Sequence, residues 1–213
     1  MLESFLAGAV GLTQGLRHAL EPDHVTALAT VVAGGPSTRR SVGYAAAWGL
    51  GHGAVLVSLG GTLVLAGTVL PPRVGEALEL LVGVMLVVLG VRALGLGVRA
   101  PDPAEAGHTH APARGPAPAF LVGCVHGLAG SGALAAMALG ATASRGAAIA
   151  GLALYAAGAA LGMMLLAGAA GPVLGRLARA PRSATALVQL AAAASILLGV
   201  VWFARSVAGI VAG

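Results

Sequence analysis

The sequence predicts an all-α polytopic membrane protein, and three observations carry that expectation. Hydrophobic residues make up 58% of the chain and charged residues 9%, far below the roughly one-quarter charged share of an ordinary soluble domain. The mean hydropathy is +0.93. Thirty-four glycines accompany runs such as Ala156-Ala157-Gly158-Ala159-Ala160, a composition that lets helix backbones approach closely in lipid. Such a chain has too little polar surface to face water, so the bilayer is its expected solvent.

Apolar stretches separated by Pro, Gly and Arg fall at about 4–32, 41–70, 74–97, 117–141, 146–171 and 184–207. Each is long enough for a transmembrane helix, which needs about 20 residues. The N-terminal Met1-Leu2-Glu3-Ser4 lacks the basic region of a cleaved signal peptide, so the first stretch is expected to persist. Arg39, Arg40, Arg92, Arg99, Arg114, Arg176, Arg179 and Arg182 follow the first, third and fifth spans, against Arg73, Arg145 and Arg205 on the other side. Positive charge gathers on the cytoplasmic side, which puts both termini outside. This use of the basic residues also removes the nucleic-acid reading that a net charge of +5 would invite in a soluble protein. The lone Cys124 excludes an internal disulfide.

Residues 98–118 interrupt the pattern with prolines, Asp102, Glu105, His108 and His110, as a flexible cytoplasmic linker does. The linker divides one membrane domain into halves at 1–97 and 119–213. Gly15-Leu16-Arg17-His18 aligns with Gly123-Cys124-Val125-His126 at an offset of 108, and Leu89-Gly90-Val91 with Leu198-Gly199-Val200 at 109. These matches predict a three-helix repeat. An odd number of spans per copy inverts the second copy in the membrane, the plan of many secondary transporters, whose sites lie near mid-depth.

Ionisable groups inside such spans are costly and mark function. The first span carries Arg17, His18, Glu21, Asp23 and His24 within eight residues. On an unbroken helix, His18, Asp23 and His24 would lie at about 0°, 140° and 240° around the axis and diverge. Pro22 cannot donate to the His18 carbonyl, and its ring clashes there, so a break between residues 18 and 22 is expected. Broken helices gather ligands at mid-membrane. Counted from the cytoplasmic ends, His24 lies about 12 Å deep, His126 about 14 Å, His52 about 16 Å and His18 about 21 Å, in hydrocarbon about 30 Å thick. The candidate metal ligands are therefore His18, Asp23, His24, His52 and His126. Imidazoles with one carboxylate suit nickel, cobalt, copper or zinc. Asp23 acts either as a ligand or as the group that fixes a His tautomer.

The competing structural expectation is a buried polar knot, with Glu21 paired to Arg17 and His24 to Asp23. Met163 and Met164 are expected to pack, and Cys124 and His126 to point to different helix faces. Glu76 and Glu79 either concentrate cations at the outer mouth or, for Glu76, pair with Arg73. His108 and His110 either capture metal or belong to a solvated loop. An intramembrane metal hydrolase would need H-E-x-x-H, which the sequence lacks, and a second carboxylate clearly beside the cluster as base, which the spacing does not offer. A thiol redox carrier would need a second cysteine. A scaffold or sensor would keep the site without flux.

Arg17-His18-Ala19-Leu20-Glu21-Pro22-Asp23-His24-Val25 and Leu50-Gly51-His52-Gly53-Ala54-Val55 resemble the two signatures of the nickel/cobalt permease family, H-x4-D-H after Arg and Leu-Gly-His. The chain departs from the larger members, which have Asp-Ala where it has Glu21-Pro22 and eight spans where it has six. Its six spans and Val122-Gly123-Cys124-Val125-His126-Gly127 look like the short, urease-accessory branch of that family. The resemblance implies a permease with no resident cofactor, carrying Ni2+ or Co2+ as substrate across a bacterial cytoplasmic membrane, with His18, Asp23, His24 and His52 functional. It also implies delivery of nickel to enzyme maturation proteins. Uptake is the expected direction, with export on the same fold or a non-transporting accessory role as alternatives.

Overall fold

The computed structural model describes residues 2–32, 37–97, 116–141, 144–177 and 181–212, and all of its regular structure is helical. In chain order the helices are α1 (Leu2–His18), α2 (Pro22–Val32), α3 (Thr38–Val55), α4 (Gly61–Ala66), α5 (Pro72–Gly97), α6 (Pro116–Ala141), α7 (Arg145–Leu177) and α8 (Pro181–Ala212). One wide π turn, Leu56–Gly60, joins α3 to α4 without a change of direction. His108 and His110, with most of the expected linker, lie outside the described residues.

Proline sets several starts. Pro22, Pro72, Pro116 and Pro181 each occupy the first position of a helix, where the missing N–H costs nothing and the fixed φ suits the first turn. For this reason residues 116–118, assigned by sequence to the linker, form the first turn of α6 instead. Ser144 caps α7 by accepting the Ala147 N–H at 3.2 Å. Gly67 ends α4 in the left-handed conformation, φ 66°. There the Thr68 N–H reaches the Leu63 carbonyl at 3.1 Å and the Gly67 N–H the Val64 carbonyl at 3.2 Å. That closure ends the second stretch at 66, short of the expected 70. Arg145 adds a donor to the Leu65 carbonyl at 2.8 Å. The fifth stretch runs past the expected stop at Gly171-Pro172, with Pro172 inside α7.

Among the described residues, four helices are long and apolar enough to cross a membrane: Thr38–Ala66, Pro72–Gly95, Arg145–Ala170 and Thr185–Ala212. Large apolar side chains such as Leu197 and Val211 are 68% and 81% exposed on α8, far more than water tolerates on one helix. This is the build of an α-helical membrane protein.

The main helix pairings are α5 with α8, α1 with α7, α3 with α6 and α3 with α7, with lesser contacts of α2 on α8 and α5 on α6. Close approaches fix them at glycine. A Cβ on Gly15 would collide with the Tyr155 carbonyl and the Ala159 nitrogen of α7, and one on Gly123 with the Trp48 carbonyl and the His52 nitrogen of α3. Gly51 meets Phe120 and Cys124 in the same way, and Gly158 meets Leu12 and Leu16. Each of these contacts has its counterpart 107 or 108 residues along the chain. Ser195 of α8 donates to the Leu86 carbonyl of α5 at 2.8 Å, a separation of 109 residues. The core around these crossings holds Ala19, Trp48, Val82, Leu86 and Met163, so Met163 packs as expected. Glu76 lies against Gly209 of α8, and no Glu76–Arg73 ion pair forms among the described residues.

Candidate metal centre

The first stretch breaks where Pro22 demands it. After His18 the chain makes a tight turn, with the Leu20 N–H on the Arg17 carbonyl and the Glu21 N–H on the His18 carbonyl, both at 2.9 Å. Helix α2 then starts afresh, its Val25 N–H reaching the Glu21 carbonyl at 3.0 Å. The break turns α2 relative to α1, and side chains that diverge on a continuous helix now converge.

All five residues singled out by sequence meet in one place. The His18 and His24 ring centroids are 4.4 Å apart, and His52 lies 5.3 Å from the first and 5.4 Å from the second. His126 comes from α6 to 4.3 Å from His24 and 6.0 Å from His52. Asp23 faces two of them, with Oδ2 at 2.7 Å from His126 Nε2 and Oδ1 at 3.3 Å from His24 Nδ1. The ligand atoms of His18, His24 and His52 lie within 4.8 Å of one another, and so do those of Asp23, His24 and His126.

Asp23, His24, His52 and His126 are buried, and His18 nearly so. Most of their nitrogens are nonetheless unpartnered: His18 Nε2, His24 Nε2, both nitrogens of His52 and His126 Nδ1 find no hydrogen bond. A buried polar atom left unsatisfied costs about 1–3 kcal/mol, and such atoms are rare enough in folded proteins to need a reason. A cation shared among these lone pairs is the reason their chemistry fits. Ring nitrogens and a carboxylate are ligands for a borderline transition metal.

The polar-knot expectation holds for one pair and not the other. His24 does contact Asp23, but Glu21 turns to His18, whose Nδ1 lies 2.9 Å from Glu21 Oε2, instead of to Arg17. The turn at residues 19–21 brings Glu21 back over His18, whereas a continuous helix would have offered it Arg17 at i,i−4. The resulting carboxylate–imidazole pair fixes the orientation of His18 and leaves its Nε2 for the cluster.

Sequence reasoning missed the aromatic walls. The Trp48 ring stacks 5.7 Å from His24 at 9° between planes and lies 5.7 Å from His126, while Tyr155 of α7 lies 5.4 Å from His18. Both aromatics stand three residues before a close-approach glycine, Trp48 before Gly51 and Tyr155 before Gly158. In a chain with only two Trp and two Tyr, that W-x-x-G and Y-x-x-G correspondence was the available signal.

The chain is similar to a protein named "Urease accessory protein UreH" from Bacillus sp. (strain TB-90), with 29% identity over 164 residues, 73% of this chain and 72% of that protein. No protein-family model and no solved structure matches it.

Proposed function

We propose that this chain is a secondary transporter that binds a divalent transition-metal cation, Ni2+ or Co2+ first, within the membrane and carries it into the bacterial cytoplasm. The observation that carries the reading is the convergence of four imidazoles and one carboxylate from α1, α2, α3 and α6, with five ring nitrogens left unpartnered in a buried setting. Such groups at membrane depth are expensive and are kept for ion pathways. Nickel and cobalt enter through the likeness of Arg17–Val25 and Leu50–Val55 to the permease signatures. The similarity to a urease accessory protein supports supply of the ion to the maturation proteins of a metalloenzyme.

Six spans in two inverted copies supply the machinery. The broken pair α1–α2, the continuous stack α3–α4 and α5 form one copy, and α6, α7 and α8 the other. Exchanging the copies turns the α1–α7 contact into α6–α3 and the α2–α8 contact into α6–α5, while α3–α7 and α5–α8 map onto themselves. The matched glycine approaches support the same relation, and so does the Ser195–Leu86 bond, which joins equivalent positions of the two copies. With the arginines inside, both termini face outward. An ion held between two such copies is exposed to either side by rocking one against the other.

The test is flux. Purified protein in vesicles loaded with a metal-sensitive dye should admit Ni2+ and Co2+ in preference to Zn2+. His18→Ala, Asp23→Ala and His24→Ala should each abolish that flux in protein that still purifies as a folded species. Full flux in all three variants would overturn the assignment.

A further inference from the structure

The cluster divides unevenly, and the division follows the fold. His18, His24 and His52 form one set of ligands, and Asp23, His24 and His126 form another. Only His24 belongs to both. Its two nitrogens are differently engaged, Nδ1 turned to Asp23 Oδ1 at 3.3 Å and Nε2 unpartnered.

The two sets also differ in access and readiness. In the first, His18 is partly exposed, and its partner Glu21 is 54% exposed. His18 Nε2, His24 Nε2 and both His52 nitrogens are without partners. In the second, all three residues are buried, and its acid is already engaged by His126 at 2.7 Å. The copies' equivalence places His18 opposite His126, 108 residues on, each against an equivalent aromatic, Tyr155 and Trp48.

Resting on the reading of this cluster as the transported ion's site, we propose that it holds two overlapping positions used in turn: an all-imidazole entry position on His18, His24 and His52, and a sealed acid-bearing position on Asp23, His24 and His126. His24 is the ligand that never lets go. Two divalent ions this close would repel strongly, so one ion occupies the pair at a time. Transfer exchanges His18 and His52 for Asp23 and His126 while the ion stays bound to His24, so no step strips it of every protein ligand. The Asp23–His126 contact closes the second position until the ion displaces it. The neutral first shell releases the ion more readily than the carboxylate-bearing second, which orders the two steps.

Co2+ bound to the purified protein reports the ligand set through its visible spectrum, and equilibrium dialysis reports stoichiometry and affinity. Wild type should bind one Co2+. His52→Ala and, as a gentler change, His18→Gln should keep one Co2+ with a carboxylate-bearing spectrum. His126→Ala and the near-isosteric Asp23→Asn should keep one Co2+ with a distinct, all-nitrogen spectrum. His24→Ala should weaken binding at least 100-fold. In vesicles, His52→Ala and His126→Ala should both lose flux despite retained binding. Loss of binding in His52→Ala, His18→Gln, His126→Ala and Asp23→Asn alike, to the level of His24→Ala, would mean one undivided site and would overturn the two positions while leaving the metal centre standing. Loss from one pair only would also overturn them, leaving a single position on the other set. Unchanged Co2+ binding in every variant, His24→Ala included, would overturn the metal centre itself.

Discussion

At the residue scale, His24 concentrates the chemistry of this protein. It is fully buried, stacked on Trp48, beside Asp23 and within ring contact of three other histidines. Ligand histidines must be neutral, so protons compete with metal, and ordinary imidazole titrates near pH 6.5. Metal affinity should therefore fall as the pH is lowered, because protons compete for the ring nitrogens, which a Ni2+ titration followed by calorimetry at several pH values would measure. The five clustered residues were legible in the sequence because ionisable groups are so scarce here that each one informs. Trp48 and Tyr155 were not, because an aromatic on an apolar helix has no polar cost to draw notice. The Glu21–His18 pair escaped for a different reason: its partner depends on the path of the turn at residues 19–21, and side-chain spacing on a regular helix favours Arg17.

At the scale of the element, the break at Pro22 decides whether the ligands meet. Proline in a helix interior costs about 3 kcal/mol, which favours the break at residues 18–22 here, whereas packing carries that cost at Pro172 inside α7. Pro22→Ala removes the cost of a continuous helix through residues 18–24. That variant should remain folded while its Ni2+ affinity drops by about tenfold or more, since His18 and Asp23 gain a conformation in which they diverge; unchanged affinity would show that the turn is held by packing alone. The glycine approaches are the second device at this scale. Gly123→Val puts a branched Cβ against the Trp48 carbonyl and the His52 nitrogen, and overpacking of this kind costs about 1–3 kcal/mol or more. Its thermal unfolding in detergent should shift to lower temperature, and metal binding should weaken with it, because the same crossing positions His52. The four long apolar helices found among the described residues were readable from apolar runs. Their ends were not, because stop signals such as Gly171-Pro172 yield to a helix that goes on packing, and Gly67 closes α4 earlier than hydropathy alone would.

At the scale of the whole molecule, the recurring separations of 107 to 109 residues tie the chain together. The sequence offered short matches in the first and fourth spans and the third and sixth. The second and fifth were hidden, since Gly51 and Gly158 share a backbone role while their neighbours His52 and Ala159 do not share a side chain. In the proposed two-copy arrangement, the copies share a frame while their ligands differ, so an ion's surroundings change as one copy rocks against the other. The proposed inverted arrangement makes a topological prediction. With Cys124→Ser as background, a single cysteine at Ser4 or Ala212 should react with an impermeant maleimide in intact cells, and one at His108 should react only after the membrane is opened. The opposite pattern would reverse the proposed orientation.

The central claim is that one ion sits among these histidines, and X-ray absorption at the nickel edge of the purified, Ni2+-loaded protein tests it most directly. The account predicts a nitrogen and oxygen shell with the outer-shell scattering of at least two imidazoles, lost in His24→Ala. A shell without imidazole scattering, or one unchanged in His24→Ala, would contradict it.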